Sequence, residues 1–228
     1  MKVSIILPTL NEEKNIFKIV KSIKKNMGSL KNEIIFVDDN SSDNTQNEII
    51  KVKKKFKNIK YIFRLERNLS TAFIDGMRIS SGNLIVLMDS DMQHDPKNIK
   101  KSITEMKKNN FDMIIGSRFL KGSKNYKSTL KSWFRLFLSK SFINIFNLIF
   151  FSNISDPLSG FFVVKKSKII LKEKFLYKKG FKIVMDYYLY LKDKIKITEI
   201  PINLNKRQYG KSKLNFKILT LIIKQVIF

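Results

Sequence analysis

Five short apolar runs recur through the first half of the chain, each followed by a polar loop and an amphipathic stretch. That alternation limits the fold more than any other feature of the sequence. The runs are "VSIIL" (3–7), "EIIFV" (33–37), "IKYIF" (59–63), "NLIVLM" (83–88) and "DMIIG" (112–116). They are close to continuously apolar, as strands buried on both faces require, whereas a sheet with one wet face would alternate. Between them the apolar positions take helical spacing: about 12–27, from Asp43 or Asn44 to 56, 71–79, and from Pro96 to about 108. Asp95-Pro96 reads as a cap followed by proline at the first helical position. This pattern predicts an α/β fold, a mostly parallel sheet with helices on both faces.

The second half is less regular. It predicts a long apolar helix (133–151), a loop "SDPLSG" (155–160), a short strand "FFVVK" and a helix near 182–192. A strand "KITEIPI" (196–202) and a basic segment "NKRQYGKSK" (205–213) follow. No linker rich in Pro, Gly or Ser divides the chain. We therefore expect one domain over 1–213 and an apolar C-terminal helix over 214–228. Neither apolar helix holds the ~18 unbroken apolar residues of a membrane span. The first carries a polar stripe of Arg135, Ser139, Lys140, Asn144 and Asn147, the second one of Lys217, Thr220 and Lys224. At 1.5 Å per residue the run 216–228 reaches about 20 Å, short of a ~30 Å hydrocarbon core. Both suit the membrane interface, with core-facing helices as the alternative. "MKVSIILPT" is too short in apolar residues for a signal peptide. The last residues are still apolar, so a longer protein whose membrane region starts there stays open.

In open α/β sheets ligands bind beyond the carboxyl ends of the strands. The unusual loops fall there: "PTLNEE", "DDNSSDNT", "DSDMQH" and "GSRFLKGS". Acids are otherwise scarce, with 19 Asp+Glu against 45 Lys+Arg and a formal charge of +26. The lysine excess reads either as compositional bias or as attraction to a polyanion, nucleic acid or an anionic membrane. Arginine is rare, so each one carries more information. The absence of cysteine excludes disulfides, thiolate metal sites and thiol nucleophiles, and suits a reducing compartment. Asp89 and Asp91, at the end of a buried strand, are close enough to repel. A divalent cation between them, or a retained proton on one, relieves that repulsion. A cation of the Mg2+ or Mn2+ type takes few protein ligands and completes its shell with phosphate oxygens, and Gln93 adds an amide oxygen.

Seven blocks in order, over about 3–215, resemble the family 2 glycosyltransferases of the GT-A fold, in their dolichyl-phosphate mannosyltransferase-like, polyprenyl-phosphate branch. The blocks are "SIILPTLNEEKNI", "IIFVDDNSSDNT", "NLSTAFIDGMRISSGNLIVLMDSDMQHDP", "GSRFLKG", "SDPLSGFF", "GFKIVMDY" and "EIPINLNKRQYGKSKL". The resemblance implies that Asp89, Asp91 and Gln93 hold a metal and the donor diphosphate. Ser90 stands where the family usually has Ala. Pro8, Leu10, Glu12, Val37 and Asp39 would line the nucleotide pocket, with Leu10 in place of the usual aromatic. Arg207 and Lys213 would close over the donor phosphates, while Arg118, Arg135 and Ser139 would receive an acceptor phosphate. Asp91 and Arg118 are the residues expected to carry catalysis.

The implied reaction is metal-dependent, inverting transfer of one sugar to dolichyl or polyprenyl phosphate at the cytoplasmic face of a membrane. A membrane-spanning partner subunit stays open. Mannose from GDP-mannose is the first expectation for the donor, glucose from UDP-glucose the second. Negative charge builds on the departing diphosphate, and a metal with Arg and Lys stabilises it. A lipid phosphate is already ionised at neutral pH and needs no general base. Transfer to a glycan hydroxyl would need one, with Asp156 or Asp186 as candidates. Lys182 and Asp186 read equally as a functional pair or an ordinary i, i+4 pair. Asp38 braces its loop while Asp39 meets nucleotide, or the reverse. His94 reads as a loop contact. A non-enzymatic nucleic-acid module is disfavoured, because the basic residues are scattered and the aromatics form no stacking platform.

Overall fold

The computed structural model describes residues 1–65, 67–123, 130–169, 183–207 and 209, with the backbone alone over 130–138. The strands are β1 (Val3–Thr9), β2 (Asn32–Asp39), β3 (Ile59–Arg64), β4 (Leu84–Met88), β5 (Met113–Ser117), β6 (Phe161–Lys165) and β7 (Ile197–Pro201). The helices are α1 (Glu13–Met27), α2 (Thr45–Lys55), α3 (Leu69–Arg78), α4 (Lys97–Asn109), α5 (Leu130–Ile149) and α6 (Ile183–Leu191). Residues 214–228, Lys182 and Lys213 lie outside the described residues, as does the side chain of Arg135. Among the described residues no helix is long and apolar enough to cross a membrane.

One seven-stranded sheet runs β3-β2-β1-β4-β6-β5-β7. Its pairings are parallel except those of β6, which runs antiparallel to both β4 and β5. Alternate residues feed two separate cores, as the pleat dictates. Val3, Ile5 and Leu7 of β1 join Ile16, Ile19, Ile23, Ile49 and Ile103 of α1, α2 and α4. Ile6 points the other way, into a core with Phe73 of α3, Phe146 of α5 and Tyr187 of α6. Helices thus cover both faces, as the strand composition predicts.

Local chemistry sets the element ends. Asp95 Oδ1 accepts the Lys97 N–H at 3.0 Å, opening α4 behind Pro96. The third helix starts two residues earlier than its apolar spacing suggests. Asn68 is its N-cap, taking the N–H groups of Ser70 (2.9 Å) and Thr71 (3.3 Å) on its side-chain oxygen.

The reversed strand decides what meets at the functional edge. The carboxyl ends of β1, β2, β4, β5 and β7 point one way, and β6 brings its amino end to the same side. The loop 155–160 is therefore delivered to the edge where the four polar loops already gather.

Candidate active site

The loops after β1, β2 and β4 each turn through a left-handed non-glycine residue: Asn11 (φ 55°), Asn40 (φ 59°) and Met92 (φ 66°). Such backbone costs about 1–3 kcal/mol and concentrates at functional sites. Asn11 knits two of the loops together. Its N–H donates to Ser41 Oγ at 2.8 Å, and its side-chain oxygen accepts the Ser42 N–H at 2.8 Å.

The Asp38–Asp39 pair divides its labour. Asp38 is fully buried and accepts from Thr9 Oγ1 (3.2 Å), the Ser41 N–H (3.0 Å) and Gln46 Nε2 (2.8 Å), so it braces the loop. Asp39 accepts the Asn68 N–H at 2.8 Å and pairs with Arg64 at 3.2 Å. Burial pushes its carboxyl up to about 6, with Arg64 pulling the other way. The Val37 side chain is packed in the core, so only its backbone reaches the edge. Pro8 contributes its carbonyl, which accepts Ser90 Oγ at 2.9 Å, and Leu10 is half-buried.

Asp89 and Asp91 differ in exposure, 41% against 6% of the side chain. The left-handed turn at Met92 folds Gln93 back so that its N–H meets Asp91 Oδ1 at 2.9 Å. Asp91 Oδ2 accepts Arg207 Nη2, and the same Nη2 reaches Gln93 Oε1 at 3.3 Å. Arg207 Nη1 lies 3.6 Å from Glu12 Oε1. Glu12 is buried and also accepts Asn15 Nδ2 at 2.6 Å. Burial raises the Asp91 carboxyl above the usual range and the Asp89 charge adds to this, while Arg207 opposes both.

His94 is a buried part of this cluster. Its Nε2 lies 3.4 Å from Asp89 Oδ2, its ring stacks on Phe161 at 5.9 Å, and its backbone bridges Leu204. Gly160 closes the other side: a Cβ there would overlap the Asp89 carboxylate and come within 3.0 Å of His94 Nε2.

Arg118 forms the second centre. Its N–H (3.0 Å), Nε (2.7 Å) and Nη2 (2.7 Å) all donate to Asp156, and Nη2 reaches the Leu158 carbonyl at 3.2 Å. Burial works against the Arg118 charge, and Asp156 and Asp89 more than restore it. Asp156 is itself fixed from behind, because Glu199 accepts the N–H groups of Ser155 (2.7 Å) and Asp156 (3.1 Å). Ser139 is half-buried on α5, the helix that also carries Arg135, and Asp186 lies half-buried in the first turn of α6.

The site thus brings together Glu12, Asp89, Asp91, Gln93 and Arg207, with Arg118 near Asp89. Sequence reasoning read His94 as a loop contact but not its burial, and it missed Gly160 and the Arg118–Asp156 fork. Only the "QH" after the acids and the single glycine in "SDPLSG" hinted at the first two.

The profile of Glycosyl transferase family 2 matches residues 4–170. Over 99% of its length the chain is 36% identical to a dolichol-phosphate mannosyltransferase of Pyrococcus furiosus, and it spans 63% of that protein. A dolichol-phosphate mannosyltransferase of Saccharomyces cerevisiae is 29% identical over 98% of this chain and 85% of its own length. In fold, the chain is similar to a glucosyl-3-phosphoglycerate synthase of Mycobacterium tuberculosis solved with Mn2+, uridine diphosphate and glucosyl-3-phosphoglycerate. There the TM-score is 0.72 at 16% identity, over 99% of this chain and 77% of that one.

Proposed function

The chain belongs to glycosyl transferase family 2, and from that premise we propose that it moves a sugar from a nucleotide diphosphate donor to the phosphate of a dolichol or another polyprenol. Mannose is the sugar in the relatives' names, and GDP-mannose is the donor of this proposal. The observation that carries the acceptor class is the Arg118–Asp156 fork. A hydroxyl acceptor needs a carboxylate base, and Asp156 instead takes three hydrogen bonds from Arg118. What stands at this edge is a fixed cation, the group that an ionised phosphate acceptor requires.

The donor side fits a hard divalent cation. Asp89, Asp91 and Gln93 offer oxygen atoms alone, and two of them already face a positive charge in Arg207. A Mg2+ or Mn2+ ion bound there supplies charge neutralisation to the departing diphosphate. Pro8, Leu10, Glu12, the Val37 backbone, Asp39 and Ser90 then surround the nucleotide, and Arg207 faces its phosphates, with Lys213 kept in the role that the family resemblance gives it. Arg118, with Arg135 and Ser139 of α5, draws the acceptor phosphate towards the sugar. A phosphate oxygen forms the new bond to the anomeric carbon from the face opposite the leaving group. The bond from that carbon to the diphosphate breaks, the configuration inverts, and the nucleoside diphosphate departs. No proton has to be removed from the acceptor.

Ile145, Leu148, Ile149 and Phe151 are exposed at the end of α5. This apolar patch on a strongly basic chain supports work at an anionic membrane surface, which we place on the cytoplasmic side. The test is turnover of the purified protein with polyprenyl phosphate, Mg2+ or Mn2+, and GDP-mannose or UDP-glucose. The expected product is a polyprenyl-phosphate mannose whose formation stops with EDTA. Transfer to glycan hydroxyls in preference to the lipid would overturn the acceptor, and turnover indifferent to EDTA would overturn the metal.

A further inference from the structure

Arg207 occupies the atoms that a metal would use. Asp91 has two oxygens: Oδ1 is engaged by the Gln93 N–H, and Oδ2 by Arg207 Nη2. The Gln93 side-chain oxygen also takes Arg207 Nη2. A divalent ion of the Mg2+ type binds oxygen at roughly 2.0–2.1 Å, and a guanidinium held on the same oxygens would set a second positive charge beside it. The two cations repel and therefore compete for Asp91 and Gln93. The segment bearing Arg207 is pinned on both sides of it. Before it, Leu204 bridges His94, and the Asn205 N–H donates to the Gln93 carbonyl at 2.9 Å. After it, Tyr209 accepts Lys18 Nζ at 3.0 Å and lies under that ammonium at 4.1 Å. The side chain can change partners while its segment stays in place. Asp89 lies on the far side of the seat, held by His94 and closed in by Gly160.

We infer that Arg207 is the resident counter-ion of the metal seat. It neutralises Asp91 and, from 3.6 Å, Glu12 while the site is empty of donor. It yields Asp91 and Gln93 when a divalent ion binds, and turns its charge to the donor diphosphate. One residue then serves twice. It keeps buried carboxylates paired at rest, and it makes metal binding without donor weak, so that metal and nucleotide diphosphate bind together. This inference rests on the metal role proposed above.

Mn2+ titration without nucleotide, followed by electron paramagnetic resonance, separates the inference from its premise. Arg207→Gln removes the competitor and is expected to bind free Mn2+ at least about tenfold tighter than wild type, about 1.4 kcal/mol. With GDP present the order reverses, because the diphosphate has lost its arginine. Equal or weaker Mn2+ binding by the variant without GDP would overturn the exchange and leave the metal seat standing. No binding to either protein, with or without GDP, would overturn the premise. A measurement on wild type alone guards against a variant that folds poorly. With only six arginines in the chain, the guanidinium NMR signals can be resolved. Diamagnetic Mg2+ is expected to release the hindered rotation of the Arg207 guanidinium, and an unchanged signal at saturating Mg2+ would contradict the exchange.

Discussion

The two halves of the functional edge each set an arginine against a buried aspartate, and they use the pair in opposite ways. On the proposed acceptor side Asp156 receives Arg118 through three donors and is anchored from behind by Glu199. On the proposed donor side Asp91 gives one oxygen to its own loop and one to Arg207, which is shared with Gln93 and Glu12. The first pair is built to keep its arginine still. The second, on the inference above, holds an arginine that another cation can replace. What stands behind the carboxylate, more than the pair itself, decides which behaviour results.

The comparison breaks most visibly at Asp156. Asp156→Asn leaves Arg118 without its counter-charge and is expected to cost about 3–5 kcal/mol in urea unfolding, since one member of a buried pair is lost. A loss under about 1 kcal/mol would mean that this fork is no more permanent than the Arg207 contact. Next in size, Arg118→Ala should lower acceptor-dependent turnover by about 100-fold or more, while GDP affinity stays within about threefold. Equal losses in both would erase the division between the halves.

Asp39 sharpens the donor half through pH. Burial lifts its carboxyl from 3.8 to about 6, so the folded chain holds this proton more tightly than the unfolded chain. The stability it contributes is full below about 3.8 and is lost as pH rises through about 6. Asp39→Asn cannot ionise and should gain on wild type between pH 4 and 7, by up to about 3 kcal/mol. A difference that stays flat across that window would show the carboxyl to be unperturbed. The smallest effect is expected at Gly160. Gly160→Ala forces a methyl against Asp89 and His94 and should cost about 1–3 kcal/mol, with Mn2+ affinity in the presence of GDP falling several-fold. Unchanged affinity would mean that Asp89 does not touch the metal.

Much of the first half is legible from the sequence because its physics is local. Period and apolar content place β1 to β5 within a residue or two, and proline after Asp95 marks the start of α4. The loop positions follow, since a parallel sheet collects them at one edge. "FFVVK" shows a buried strand but carries no sign of direction, so the antiparallel insertion of β6 between β4 and β5 is invisible in it. With that goes the meeting of Arg118 with Asp156, 38 residues further along the chain. The choice between Asp38 and Asp39 also needs three dimensions. Adjacent residues on a strand point to opposite faces, and only the neighbours, Thr9 and Gln46 for one and Arg64 and Asn68 for the other, separate brace from pocket. His94 follows the acids in sequence as any loop residue could, and its burial depends on Phe161 and Leu204.

The most direct measurement is an anomalous difference map from crystals grown with Mn2+ and GDP. The account predicts a manganese peak within about 2.2 Å of Asp91 Oδ2 and Gln93 Oε1, with Arg207 moved onto the diphosphate and Arg118 still forked to Asp156. A map with GDP bound, Arg207 still on Asp91 and no manganese at Asp89 or Asp91 would contradict it.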